Sequence, residues 1–509
     1  MTRAWVGPMR AAAAVIIGAG VVVAATQLPG TAALVPPGTP ATTHAPQRLP
    51  VTSAVLTCPG PETEGLASVP AVAGTSTVLA ASAPDTVLST LLDALRPAAG
   101  DALRPAVAGG TLSMTARPSA TSLGESAGRG QVVSAPLAGA TAADLSATGS
   151  LAPGLAAVQT FLRVDGDERA LVATPCLAPR SDLWLVGGGG QSTRRERLVL
   201  VNPGANPVTA SLSVLGTAGP VTMAGPGDVA VPPHGRTSLL LDAIAGPETA
   251  PVVHITASSG MISAVLEDSW IDAAVGRGAD DAAPCAAPST EQVVPAALID
   301  GPARLRVGVP GAREAVVQTR VLTMTGPRPL PAGGVVRIKA GATQDIDLGT
   351  LPPGSYAVQV RSDQPVVAGA MVERRSPGAG QSDFAWIASS APIDGVTGTP
   401  VPSVGAASGG SAGWATLTLA ATGAPVEATV TTVDATGKTT TAAVTVPADS
   451  VVSTPVPAGQ VWVTQQSGTL RAGLTIAAVA GKAAGPLFTA YPLGPLSVSA
   501  TQVPVRQVG

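Results

Sequence analysis

Lysine is nearly missing from this chain: in 509 residues only Lys339, Lys438 and Lys482 carry an ammonium group. Arginine brings the basic total to 29 against 32 acids, a net charge of -3, so no basic field exists to neutralise phosphates. Nucleic acid is therefore not an expected partner. Aromatic residues make up 2% of the chain, which leaves Val, Leu, Ile and Ala to build its cores. A sugar-binding face normally offers several rings together, so the scattered Trp270, Trp386, Trp414 and Trp462 read as core or interface fillers. Histidine occurs only as His44, His234 and His254, too few and too dispersed for a metal site. The three cysteines have no metal-knuckle spacing, and no cofactor-binding set emerges.

What is abundant is Gly (59) and Pro (49), in a chain long enough for three or four domains. The first long apolar run is N-terminal. Arg3 and Arg10 precede "AAAAVIIGAGVVVAA" (residues 11–25), and a Pro/Thr-rich tether follows at residues 29–50. A positive segment, an apolar segment and small residues at Val23 and Ala25 describe an export signal. Extended to Leu28, the run also approaches the length needed to span a bilayer. Residues 1–28 are read as either a cleaved signal or an uncleaved membrane anchor, and everything beyond as extracytoplasmic.

The stretch "LVLVNPGANPVTASLSVLG" (residues 198–216) shows how the remainder is built. Val208, Ala210, Leu212 and Val214 fall on one side of an extended chain and Thr209, Ser211 and Ser213 on the other, the period of a half-buried strand. "LVLV" is apolar on both sides and stops at an Asn-Pro-Gly turn, so two strands meet there as a hairpin or sandwich edge. The same order of elements recurs from Leu305 and from Ala415, at spacings of 107 and 110 residues. Short Val- and Thr-rich strands between Gly, Pro, Asn and Asp turns suit an all-β chain of tandem antiparallel sandwiches, immunoglobulin- or fibronectin-like. The expected boundaries are 187–290, 291–400 and 401–509 for three repeats. Residues 51–186 read as a less regular β domain with a mobile insertion near 85–110, where "DALRPA" occurs twice.

Cys58 opens that first domain and Cys176 closes it, whereas Cys285 sits in a Pro/Ala-rich stretch. Spacing alone does not fix the pairing. "LTCPG", "TPCLAPRSDLWLVGG", "LVLVNPGANPVTASLSVLG" and "VPPHGRTS" together resemble the landmarks of an actinobacterial secreted-protein family, domain-of-unknown-function family DUF5719. The resemblance implies an exported, envelope-associated protein of unassigned activity. It also implies a bridge between Cys58 and Cys176, with Cys285 free. It brings no catalytic residues.

Two G-x-S-x-G strings occur, around Ser126 and Ser411, but neither lies between a buried strand and a helix as a nucleophile elbow requires. "GGGGQSTRRER" (residues 187–197) lacks the lysine of a phosphate loop and reads as a flexible linker. Glu267, Asp268, Asp272, Asp280 and Asp281 lack calcium-loop spacing and read as a solvated hinge. The sequence thus points to a non-enzymatic envelope structural or adaptor protein, with envelope proteins or a cell-wall polysaccharide as partners and the membrane as a third if the anchor is retained. The alternatives are a polysaccharide-binding module or accessory subunit of a cell-wall enzyme, and a serine hydrolase using Ser126.

Overall fold

Alternation along the opening stretch settles into strand Val208–Gly216, whose Val208, Ala210, Leu212 and Val214 are buried while Thr209, Ser211 and Ser213 are exposed. The preceding Leu198–Val201 run is buried on both sides. Leu198 and Leu200 join the core of their own repeat, while Val199 and Val201 pack with Val265 against Ala142, some sixty residues upstream. A strand apolar on both faces is thus a strand covered twice.

In this computed structural model the described residues run from 47 to 502, apart from 62–73, 96–108, 165–168, 191–192, 226, 273–274, 331–333, 376–379, 405–410 and 480–484. The segment read as an export signal or anchor, most of the tether and the second "DALRPA" copy lie outside them. The chain is nearly all β, arranged in multiple antiparallel sheets. Among the described residues two short α-helices interrupt it, Asp85–Asp93 and Leu241–Ala245. Among the described residues no helix is long and apolar enough to cross a membrane.

The strands group into four successive pairs of facing sheets, at about residues 53–175, 182–282, 289–388 and 396–493. Numbering the main strands one to eight within each, one sheet has the order one-six-three-four and the other five-two-seven-eight, four times over. The last repeat is the plainest: Val396–Val401, Gly459–Gln465, Val426–Asp434 and Thr439–Val446 form one sheet, and Val451–Val456, Ser411–Ala421, Leu470–Val479 and Pro486–Leu493 the other. In the third, strands six and seven fuse into the 22-residue Gly354–Arg375, which passes from one sheet to its neighbour. The region read as irregular follows the same plan, with helix Asp85–Asp93 inserted after its second strand. The Asn-Pro-Gly turn is not a hairpin: strand Arg194–Asn202 pairs with Gly235–Leu240 and Ser263–Asp272, while Val208–Gly216 belongs to the facing sheet. Period two identifies a strand but not its partner.

Each eighth strand is a sheet edge, and the four edges meet. Ala170–Pro175 packs against Val275–Ala282, that against Ser382–Ala388, that against Pro486–Leu493, and the last returns to Ala170–Pro175. The four repeats are therefore closed into a ring around their eighth strands. Val158, Leu171 and Ala173 of the first repeat share a core with the fourth, which seals the closure.

Candidate functional site

An outward edge strand carries a row of unpaired N–H and C=O groups, and burying it leaves them without water. At the centre of the ring, acidic side chains answer this need. Asp383, in the otherwise apolar strand Ser382–Ala388, accepts from Phe488 N at 2.8 Å and Leu171 N at 3.3 Å through Oδ2, and from Phe384 N at 3.0 Å through Oδ1. One carboxylate thus holds the fourth, first and third repeats. Asp280 of the second repeat accepts from Trp386 N at 2.7 Å and from Thr489 Oγ1 at 3.1 Å. Thr489 in turn accepts from Ala173 N at 3.1 Å, and Thr174 donates to Asp281. Arg169 donates to the carbonyls of Pro486 and Ser382, at 2.6 and 3.3 Å. A Cβ at Gly278, whose φ is +106°, would sit 2.0 Å from Asp383 Oδ1, so only glycine admits the carboxylate here.

Burial is the dominant influence on these acids. It pushes Asp280 well above the usual carboxylate range, helped by the neighbouring Asp281. It does the same to Asp383, against the opposing backbone N–H donors and Arg169. Asp281 is raised to about 6 by desolvation, opposed by Thr174 and Arg236. Glu196, which accepts from Gly189 N, is pushed up to about 7 by burial and by the nearby Asp268 charge.

Two sequence readings need correction. The acidic positions are not a solvated hinge: Glu267 stands opposite Asp281 and Asp268 opposite Asp280 on paired strands, with Asp268 and Asp280 buried. Neighbouring acids in a strand point to opposite faces, so Asp268 and Asp280 share one face and Glu267 and Asp281 the other, while Asp272 at the strand end stays exposed. Nor is the glycine run a free linker. Fully buried Arg306 of the third repeat donates to Gly187 O and Gly188 O at 2.9 and 2.8 Å, and pairs with Asp345 at 2.7 Å.

The tryptophans divide. Trp386 is buried and donates Nε1 to Asp268 at 2.8 Å, and Trp462 is buried beside helix Asp85–Asp93. Trp184 is buried and stacks on His254, ring centroids 3.8 Å apart, with His254 Nε2 3.4 Å from Asp182. Trp270 is half-buried and lines a cleft of about 400 Å3 between the second and third repeats, with Arg304, Asp345, Asp347 and Glu373 on its other walls. Trp414 is 45% exposed and lies beside Arg374. Successive strand residues point to opposite faces, so Glu373 and Arg374 place Trp270 and Trp414 on opposite sides of one strand.

Ser126 ends the edge strand Ser122–Ser126, where its hydroxyl donates to Gln131 Oε1 at 2.8 Å and accepts from Gly128 N at 3.1 Å. Ser411 opens a strand in the fourth repeat, and its side chain lies outside the described set. His234 occupies a left-handed turn, φ +48°, and His254 lies with Trp184, so neither is bonded to Ser126. Cys58 and Cys176 are joined, and Cys285 is a buried free thiol whose pKa burial lifts to about 12. Among the described residues no group of three or more His, Cys, Asp or Glu could hold a metal ion.

Residues 132–457 match the family of unknown function DUF5719. The chain belongs to that family. The matched stretch begins beside the fifth strand of the first repeat and ends after the fifth strand of the fourth, so the family spans the whole second and third repeats. No curated protein matches the chain. A solved structure described as a tetra-tandem repeat in the extending region of a large adhesion protein aligns at 18% identity over 77% of this chain and 91% of that one. Its TM-score of 0.09 carries no argument about fold.

Asp383, Arg169, Thr489 and Arg306 escaped the sequence reading, although one signal was visible. A carboxylate inside the otherwise apolar "DFAWIA" requires a buried partner.

Proposed function

We propose that the chain is an exported, envelope-associated structural or adaptor protein without catalytic activity, made of four tandem β-sandwiches. The sandwiches share with immunoglobulin domains the pairing of strand two with five and three with six, while the first and seventh strands lie in exchanged sheets. The observation that carries the reading is the use made of the buried acids. Asp280, Asp281 and Asp383 bond to backbone and threonine groups of neighbouring repeats, so the chemistry concentrated at the ring centre serves to hold repeats together. An actinobacterial source and the extracytoplasmic location rest on the sequence resemblance and the N-terminal segment, and the Cys58–Cys176 bridge is compatible with them.

The test has two arms in the organism that encodes the chain. Residues 1–50 fused to a reporter active only outside the cytoplasm should give signal. A deletion strain should be restored by the wild-type chain and not by Asp383→Ala. A silent, stably expressed fusion, or full restoration by an Asp383→Ala chain shown to be loosened, contradicts the proposal.

The Trp270 cleft favours a second reading, a polysaccharide-binding module. Its volume falls in the range of ligand sites, and it sets one aromatic wall against carboxylates and a guanidinium suited to sugar hydroxyls. Titrating defined neutral oligosaccharides against tryptophan fluorescence tests it. The binding expected is lost in Asp347→Asn, and no response to any sugar removes the reading.

A further inference from the structure

The four repeats share one strand plan, so a departure from it in one copy stands out. The fourth strand of each lies at a sheet edge: Ser122–Ser126, Asp228–Val231, Val335–Ile338 and Thr439–Val446. The first three are four or five residues long and carry Glu125, Asp228 and Arg337. The last has eight residues, "TTTAAVTV", with no charge and no proline, and pairs with Val426–Asp434 without a bulge.

Exposed edges are normally blunted by charge, proline, bulges or covering segments, because their free backbone groups recruit other strands. The chain applies this elsewhere. Among the described residues, Glu125, Pro136, Asp182, Arg236, Pro400 and Pro455 each interrupt an edge strand of five or six residues. Edge Ser53–Cys58 is bridged at Thr57 by Leu177, and the four eighth strands are buried in the ring. Among the described strands only Thr439–Val446 is a long edge with none of these guards, and Thr439 through Ala443 are exposed at every position, so both faces of the strand are open.

We infer that this edge is a self-association site, at which Thr439–Val446 pairs antiparallel with the same strand of a second copy of the chain. The sequence is complementary to itself under two-fold symmetry. Centred on Ala442, the pairing sets Ala442 against its own copy, Thr441 against Ala443, Thr440 against Val444 and Thr439 against Thr445. No like charges meet, small side chains leave the approach open, and threonine cross-strand pairs are favourable. Pro447 ends the strand and limits the contact to these eight residues. A two-fold contact closes on itself, so it yields a dimer with one continuous sheet and no open fibre. The inference goes beyond the structural reading of the chain and does not depend on its location.

Sedimentation of the full purified chain over a concentration series tests it, alongside hydrogen exchange at the two concentration extremes. The expected result is a reversible dimer, with slower exchange in Thr439–Val446 at the higher concentration. Ala442→Lys/Ala443→Lys sets the two copies' lysines at position 442 directly opposite one another and should weaken the dimer about tenfold or more. Thr441→Glu, at another exposed position, should do likewise if the double variant folds poorly. A chain monomeric at about 100 µM, a dimer indifferent to both variants, or a dimer without protection of this strand overturns the inference.

Discussion

Removing the Asp383 carboxylate leaves three backbone N–H groups from three different repeats unsatisfied and leaves Arg169 without its nearby counter-charge. Asp383→Ala should therefore destabilise the chain by roughly 3 kcal/mol or more. Asp383→Asn keeps one acceptor oxygen and removes a charge that burial disfavours, but turns an NH2 donor toward backbone N–H on its other side, so a smaller loss of roughly 1 to 2 kcal/mol is expected. Denaturant midpoints measure both, and equal effects would contradict the bonding scheme. Protons give a second handle. Glu196 rises from an ordinary 4.5 to about 7, and Asp281 from 3.8 to about 6. Both bind a proton more tightly when folded, so their contribution to stability is full below about pH 4 and is lost as pH climbs through 6 and 7. The chain should be less stable at pH 8 than at pH 5, with Glu196 accounting for at most roughly 3 kcal/mol of the difference. Glu196→Gln should reduce that difference, and an unchanged pH profile in unfolding experiments would refute the assignment. Ser126 is expected to be dispensable: its hydroxyl serves a local turn with Gly128 and Gln131, so Ser126→Ala should complement a deletion strain fully. Loss of function at normal protein level would revive the hydrolase alternative.

Among elements, what alternates in sequence was legible and what closes over distance was not. Strand Val208–Gly216 and its counterparts announce themselves by period two, and the three later repeats by their spacing. The first repeat hid its identical plan because helix Asp85–Asp93 separates its second and third strands and dilutes the turn signals. The destination of each strand was equally hidden, since the Asn-Pro-Gly turn reads the same whether the chain folds back in one sheet or crosses to the facing one. The disulfide belongs to this scale. Cys58 ends the first strand of the first repeat, and Cys176 follows its eighth, spanning 118 residues. In the chain-entropy account, reduction should cost up to about 4 to 5 kcal/mol. Because the strand before Cys176 enters the ring, the loss should reach the other repeats as well. Thermal unfolding with and without reductant checks this, and an unmoved midpoint would show that the bridge contributes little.

For the whole molecule, the ring explains why acids are buried in a chain with so few charges. The eighth strands of four repeats, about a hundred residues apart in sequence, present edges to one another, and Asp280, Asp281 and Asp383 satisfy across those edges what a sheet partner otherwise would. No local pattern encodes such a convergence, and only the stray carboxylate in "SDFAWIA" hinted at it. The central claim is that this network couples the repeats, rather than leaving four independent units on a string. Differential scanning calorimetry of the full chain tests it most directly. The account predicts one cooperative transition over residues 48–501, with calorimetric and van't Hoff enthalpies in agreement, splitting into separate transitions in Asp383→Ala. Separate transitions already present in the wild-type chain would contradict it.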